Sequence, residues 1–358
     1  MLPLDVPFLP DAPYVSFLEK LGSQIHAVHF GLYDPSLCDA RVRLRRLSPQ
    51  DLAVHLERLP GPKKYLLANG RFQPAELYRG EKPMRRIIEG LEQLTGAGLL
   101  HGIIFADSYL LTALADAAPG LASRLEAVPS INFGIDNVGK LESLLEMISA
   151  SGFRTPGKIP LDRSLNRRPG TLAVISREIR RRWPGMKIEL LANEGCLPHC
   201  PYRSTHEALI AAANVGMGVD THRLNRDLAC IRVLNREPHR IFASPFIRPE
   251  DAGRYGESAD IIKVCGRTLG AGFLVRSVGA YTAGVFQGNL LDLLDAAHWM
   301  AGRWEIDNGG LPDDFGDVLS TAQKLDVDCR ALWQRHARPK PWRFATLGGV
   351  PGVCTENP

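Results

Sequence analysis

The sequence predicts an α/β fold: one TIM-like β/α barrel of eight strands followed by a C-terminal helical extension. Short apolar runs alternate with longer amphipathic stretches, the pattern of repeated βα units around a parallel sheet. Eight such runs can be counted, which favours closure into a barrel over an open sheet. The 358 residues, 45% hydrophobic and 23% charged, suit one large apolar core of that size.

Residues 1–24 read as an N-terminal segment. The barrel follows over 25–303, with strands expected at 26–32, 64–68, 102–105, 127–133, 157–161, 187–192, 240–243 and 260–264. Helical periodicity fills the intervals at 48–58, with Ser48 as its N-cap, and at 83–95, 108–117, 137–150, 170–182 and 205–213. After Gly270 the pattern changes. A long amphipathic helix is expected over 289–303 to cover the barrel, and 304–358 reads as an extension ending in a loose tail.

The net charge of +4 is too small for the basic stripe that nucleic-acid binding needs, so nucleic acid is not implied. Arg177, Arg180, Arg181 and Arg182 fall at a helix end, where cations complement the dipole. The opening MLPLDVPFLPDAPYV has neither a basic nor a continuous apolar leader region, and no apolar run approaches the roughly 18 residues of a membrane span. A cytoplasmic protein is expected. In a reducing compartment seven cysteines point to metal binding or catalysis rather than disulfides.

In β/α barrels the loops after the strands carry the function. Cys38 follows the first predicted strand, Cys196 and Cys200 the sixth; Cys230 precedes the seventh and Cys265 ends the eighth. The spacing is Cys-x3-Cys, then 29 and 34 intervening residues. Four thiolates hold zinc or an iron–sulfur cluster. With only one close pair and the remaining cysteines on separate loops, the pattern favours a cluster on Cys196, Cys200, Cys230 and Cys265, with zinc as the alternative. Cys329 and Cys354 read as ordinary core or surface thiols.

Several chemistries are excluded by spacing. A radical-SAM motif needs cysteine where Arg203 stands, and HExxH fails because Ile210 occupies the second histidine position after His206 and Glu207. No G-x-S-x-G elbow or Walker loop occurs, and Gly270 and Gly272 are too isolated for a dinucleotide site. Polar residues at strand ends supply candidate substrate ligands: Asn69, Arg71, Asp107, Asn132, Asp136, Asp162, Arg163, Asn193, Glu194, Arg203, Arg248, Lys263 and Arg267. Cations and carboxylates converging on a barrel mouth suit a polar or anionic small molecule.

At NEGCLPHCPYRSTH, SPFIRPED, IIKVCGR and AYTAGVFQGNLLDLL the chain resembles the collagenase-like peptidases, family thirty-two of the peptidase class of unassigned catalytic type, over about residues 25–303. That family includes UbiU- and UbiV-like ubiquinone-biosynthesis proteins and RNA hydroxylation factors. The resemblance implies a barrel, a 4Fe-4S cluster on four cysteines and oxygen-independent hydroxylation of a small molecule or RNA. Cys196, Cys200 and Cys230 match family cysteines. Cys265 departs from the pattern, standing where many relatives carry glutamate in K-x-E-G-R, which leaves Cys38 as the reserve ligand. The shorter HCPYR marks an outlying branch. Two alternatives remain: a peptidase, whose cysteine nucleophile would need a histidine such as His206 or His199, and a noncatalytic cluster-bearing partner of another protein.

Overall fold

The computed structural model describes residues 1–32, 34, 36–41, 48–79, 82–321 and 325–341; Cys354 lies outside them. Eight strands form one sheet: β1 (Leu4–Pro7), β2 (Ile25–Phe30), β3 (Lys63–Ala68), β4 (Gly102–Phe105), β5 (Glu126–Pro129), β6 (Lys158–Pro160), β7 (Lys187–Leu191) and β8 (Ile261–Lys263). Their order is β5-β4-β3-β2-β1-β8-β7-β6, and every ladder is parallel. The seam between β5 and β6 carries one isolated parallel bridge, Glu126 with Arg154, which lies just before β6. The result is a nearly closed α/β barrel, as the alternation predicts.

Two strand positions differ from the expectation. The first barrel strand is Leu4–Pro7, inside the stretch read as an N-terminal segment. It pairs with both β2 and β8. Four residues, one an aspartate and one a proline, carry too little periodicity to announce a strand. Conversely, residues 240–243 belong to a 3-10 helix, Pro238–Ala243, whose buried Ile241 and Phe242 pack outside the barrel. A short buried apolar run looks the same in either setting.

The helical surround departs similarly near the C-terminus. Residues 289–303 form two 3-10 turns, Leu290–Leu293 and His298–Gly302, rather than one helix. The eighth barrel helix is Gly270–Ala283, burying Phe273, Leu274, Val278 and Tyr281. Its glycines lower helix propensity, but packing against the sheet overrides this. The (βα)8 unit is therefore complete at Ala283.

Side chains alternate across each strand. Outward residues such as Val6, Val28, Phe30, Leu66, Ile103, Ile159, Leu190 and Ile262 join the helices in the main core. The barrel interior is divided. Ala27, Tyr65, Leu67, Ile104 and Val128 make an apolar cluster toward β2–β5. Asp5, His29, Lys158, Glu189 and Lys263, from β1, β2 and β6–β8, make a charged one, each no more than 9% exposed. Lys158 bonds Asp5 and lies 2.5 Å from Glu189 Oε2; Lys263 Nζ reaches Asp5 at 3.0 Å and Glu189 at 3.1 Å. Such a group is stable in a dry interior only because each charge has an opposite neighbour.

A second core lies outside the barrel. The excursion between β7 and β8 supplies Leu197, Leu234, Ile241, Phe242 and Phe246, while the segment after Ala283 supplies Leu291, Met300, Ile306, Phe315 and Leu332. A small antiparallel pair, β9 (Trp304–Ile306) with β10 (Ala337–Pro339), edges this lobe.

Candidate functional site

The strands deliver their C-terminal ends to one mouth. Inward alternation on β2 places His29 there, and β8 adds Lys263. Both line a cavity of about 70 Å³ together with Arg41, Asn69, Asn132, Glu194, Cys265 and Arg267. Whole-ligand pockets run to roughly 300–1,000 Å³, so this space holds one functional group or a few waters.

Paired charges frame it. Arg41 Nη2 donates to Asp295 Oδ2 at 2.7 Å and stands 4.0 Å from Glu194. Arg163 pairs with the other oxygen of Glu194 and donates to Asn132 Oδ1 at 3.2 Å. Arg267 pairs with Asp39, and Arg203 lies 3.6 Å from Asp162. Two buried donors, Arg163 Nε and Arg267 Nη1, have no partner among the described residues. Buried polar atoms are otherwise almost always bonded, so these mark where a water or ligand oxygen belongs.

A strap from the second lobe closes the mouth. Asp295 N donates to Asn193 O at 2.8 Å and Ala296 N to Glu194 O at 2.7 Å. The Asn193 amide clasps both sides, donating to Cys265 O and Leu293 O and accepting from Cys265 N at 2.7 Å. Gly195, at φ +76°, lets the strap approach: a Cβ there would lie 3.1 Å from Leu294.

Of the predicted ligands, Asn69, Asn132, Glu194, Lys263 and Arg267 line the cavity. Asp162 and Arg203 pair with each other, and half-exposed Arg71 faces Glu207 at 3.9 Å. Asn193 is the clasp. Asp107 is a helix cap, accepting from Tyr109 N and Leu110 N and bonded to the Tyr78 hydroxyl. Asp136 pairs with Lys140 on the surface. Arg248 sits in the second lobe, bound to Asp251 at 2.8 Å and stacked on Phe315. Those last three have structural partners of their own.

The thiols fall into two groups. Cys200 is near enough to both Cys196 and Cys230 to oppose their ionisation, whereas Cys265 interacts with Asp295, Glu194 and Arg41. Cys38 is buried, its amide bonded to Gln73. Among the described residues, no group of three or more His, Cys, Asp or Glu side chains is arranged to hold a metal ion. Burial, then nearby carboxylates, pushes the Cys196 and Cys265 thiols up. Burial alone would also raise Glu194, but Arg163, Arg203 and Arg41 outweigh it and keep the carboxylate ionised. Burial prevails for Glu207 and raises it.

Sequence reasoning missed His29, Asp5, Arg41 and Asp295. His29 Nδ1 lies 2.8 Å from Asp5 Oδ1, and burial followed by the charge of Lys263 lowers the imidazole to about 4. A histidine at an inward position of the run IHAVHF was the available signal. Of the histidines proposed to assist a cysteine, His206 bonds Asn225 at 2.9 Å and His199 has a positive φ of 45°.

No helix among the described residues is long and apolar enough to cross a membrane. No family model matches the chain. Over 173 residues, 48% of this chain, it is 33% identical to a protein named uncharacterized protease MJ1657 from Methanocaldococcus jannaschii. The chain spans about half the length of this curated relative, the match covering 49% of it. A solved structure, that of the U32 peptidase Mk0906, superposes with TM-score 0.46 and 14% identity over 75% of this chain and 94% of that one.

Proposed function

We propose that the chain is a barrel-mouth hydrolase acting on peptide or peptide-like amide bonds. The observation that carries this reading is the cavity wall, where Arg41, Lys263 and Arg267 stand beside an uncharged imidazole, His29. Each cation is paired with a carboxylate, but Arg267 keeps a buried Nη1 donor without a partner among the described residues, and such a donor at a small space can stabilise the oxyanion that develops as an amide carbonyl is attacked. The sequence similarity to a protein named a protease favours amides as the substrate class. Burial raises the Cys196 and Cys265 thiols, which favours attack by water over attack by either of these two sulfurs. Incubation with denatured casein and a peptide library between pH 6 and 9, read by mass spectrometry, tests the proposal. Discrete cleavages are expected, and an undigested library overturns it.

A second reading is the thiolate-held iron–sulfur cluster, or zinc, with oxygen-independent hydroxylation. The adjacency of Cys200 to Cys196 and Cys230 favours it. Against it stand two observations: among the described residues no three His, Cys, Asp or Glu side chains are arranged to hold a metal ion, and Cys265 interacts with Asp295. Iron, zinc and sulfide analysis of anaerobically purified protein decides it: stoichiometric iron and sulfide would support a cluster, and their absence would remove it.

A further inference from the structure

Hydrolysis needs a group to take a proton from the attacking water, and most polar groups around the mouth are already committed. Glu194 is held by Arg163, Asp162 faces Arg203, Asp39 pairs with Arg267 and Asp295 with Arg41. His29 differs. Its Nδ1 edge is fixed, 2.8 Å from Asp5 Oδ1, and Asp5 is a fully buried carboxylate. Asp5 in turn bonds both Lys158 and Lys263, an environment that keeps it ionised and therefore only an acceptor. The proton on a neutral His29 must then reside on Nδ1, which leaves the Nε2 lone pair on the opposite edge of a ring that lines the cavity.

We propose that His29 is the general base of the barrel mouth, with Asp5 as the residue that orients it and fixes its tautomer. This rests on the hydrolase reading for its reaction, though not for its geometry. In the first step Nε2 takes one proton from water as the water oxygen bonds to the carbonyl carbon. The displaced C=O electron pair becomes an oxyanion facing Lys263 and Arg267. In the second, the carbonyl re-forms, the C–N bond breaks, and the nitrogen leaves with the proton returned by His29. Water is added across the bond, and no other reactant is consumed. The layered arrangement of an acid, an imidazole and a cavity serves the same end in hydrolases of unrelated fold.

Groups from three strands act on the ring. Asp5 on β1 favours its charged form; Lys263 on β8 and Lys158 on β6 oppose that form, and burial opposes it most. Together they keep the imidazole available as a base at neutral pH.

Two measurements test the proposal. The first is long-range ¹H–¹⁵N NMR of wild-type protein labelled at histidine, with the His29 signals identified by their loss in His29→Gln. A neutral ring protonated on Nδ1 at pH 7 is expected; protonation on Nε2, or an imidazolium, overturns the assignment whatever the substrate. The second is the peptide-cleavage assay. His29→Gln should lower kcat by about 10²–10⁴-fold, the usual contribution of a general base, with KM little changed. Retention of wild-type kcat by a folded His29→Gln protein also overturns it. If wild-type protein cleaves nothing, the hydrolase reading fails by itself, and the NMR result still decides whether His29 is presented as a base.

Discussion

Replacing Lys158 by Met would remove a charge from the driest part of the molecule while keeping most of its volume. The Lys158 side chain is 1% exposed, and its partners Asp5 and Glu189 are 0% and 1% exposed. Without its ammonium two buried carboxylates share only Lys263. Breaking a buried pair by removing one partner costs about 3–5 kcal/mol, a large part of the ~5–15 kcal/mol that stabilises an ordinary protein. The thermal midpoint should fall by something on the order of 4–7 °C. Glu189 is already raised by burial, and losing Lys158 raises it further. A carboxylate with a raised folded-state pKa loses stability as pH climbs above its unfolded value, so the defect should be deeper at pH 8 than at pH 5. Lys158→Met combined with Glu189→Met leaves Asp5 with Lys263 and His29, and should recover to within about 2 kcal/mol of wild type. Urea unfolding of the three proteins at both pH values measures this. A single variant within about 1 kcal/mol of wild type, or a double variant no better than the single, would refute the reasoning.

Gly266→Ala should destabilise by about 2–5 kcal/mol, because φ is +121° and a Cβ would sit 2.0 Å from the Phe273 ring; calorimetry checks it. Asp107→Ala removes the N-cap of Ser108–Ala117 and the partner of the Tyr78 hydroxyl, and should cost about 1–2 kcal/mol in chemical unfolding. The depressed His29 makes stability depend on pH. The unfolded ring binds its proton near 6.5 and the folded one near 4, so this contribution is complete above 6.5 and gone by about 4. Over that window it amounts to something on the order of 3 kcal/mol, and His29→Gln should flatten that part of the stability–pH curve.

Much of the barrel was legible because parallel strands buried on both faces leave plain apolar runs, as at residues 64–68 and 187–192. Helix starts were readable where caps announced them: Ser48 closes a capping box with Asp51, and Asn137 caps Val138–Ala150. Leu4–Pro7 was not legible, since its strand character comes from being clamped between β2 and β8. The Gly270–Ala283 helix was hidden by its glycines. At the mouth, residues that follow strands directly, such as Asn69, Glu194 and Arg267, could be found from order alone. Asp295 could not, because it arrives from beyond the barrel and is placed by backbone bonds to Asn193 and Glu194. The polar residues Asp107 and Arg248 look alike in sequence, yet one caps a helix and the other braces the second lobe.

The divided origin of the second core imposes an order on assembly. During synthesis the stretch carrying Leu234, Phe242 and Phe246 emerges well before Phe315 and Leu332, the surfaces that cover it. The βα repeats can therefore close while these greasy side chains are still uncovered, an interval in which a chaperone or a neighbouring chain could engage them. The gateway above His29 also waits on a residue made after the barrel, since Asp295 must settle against Arg41, and until then the interior stands open to the surroundings.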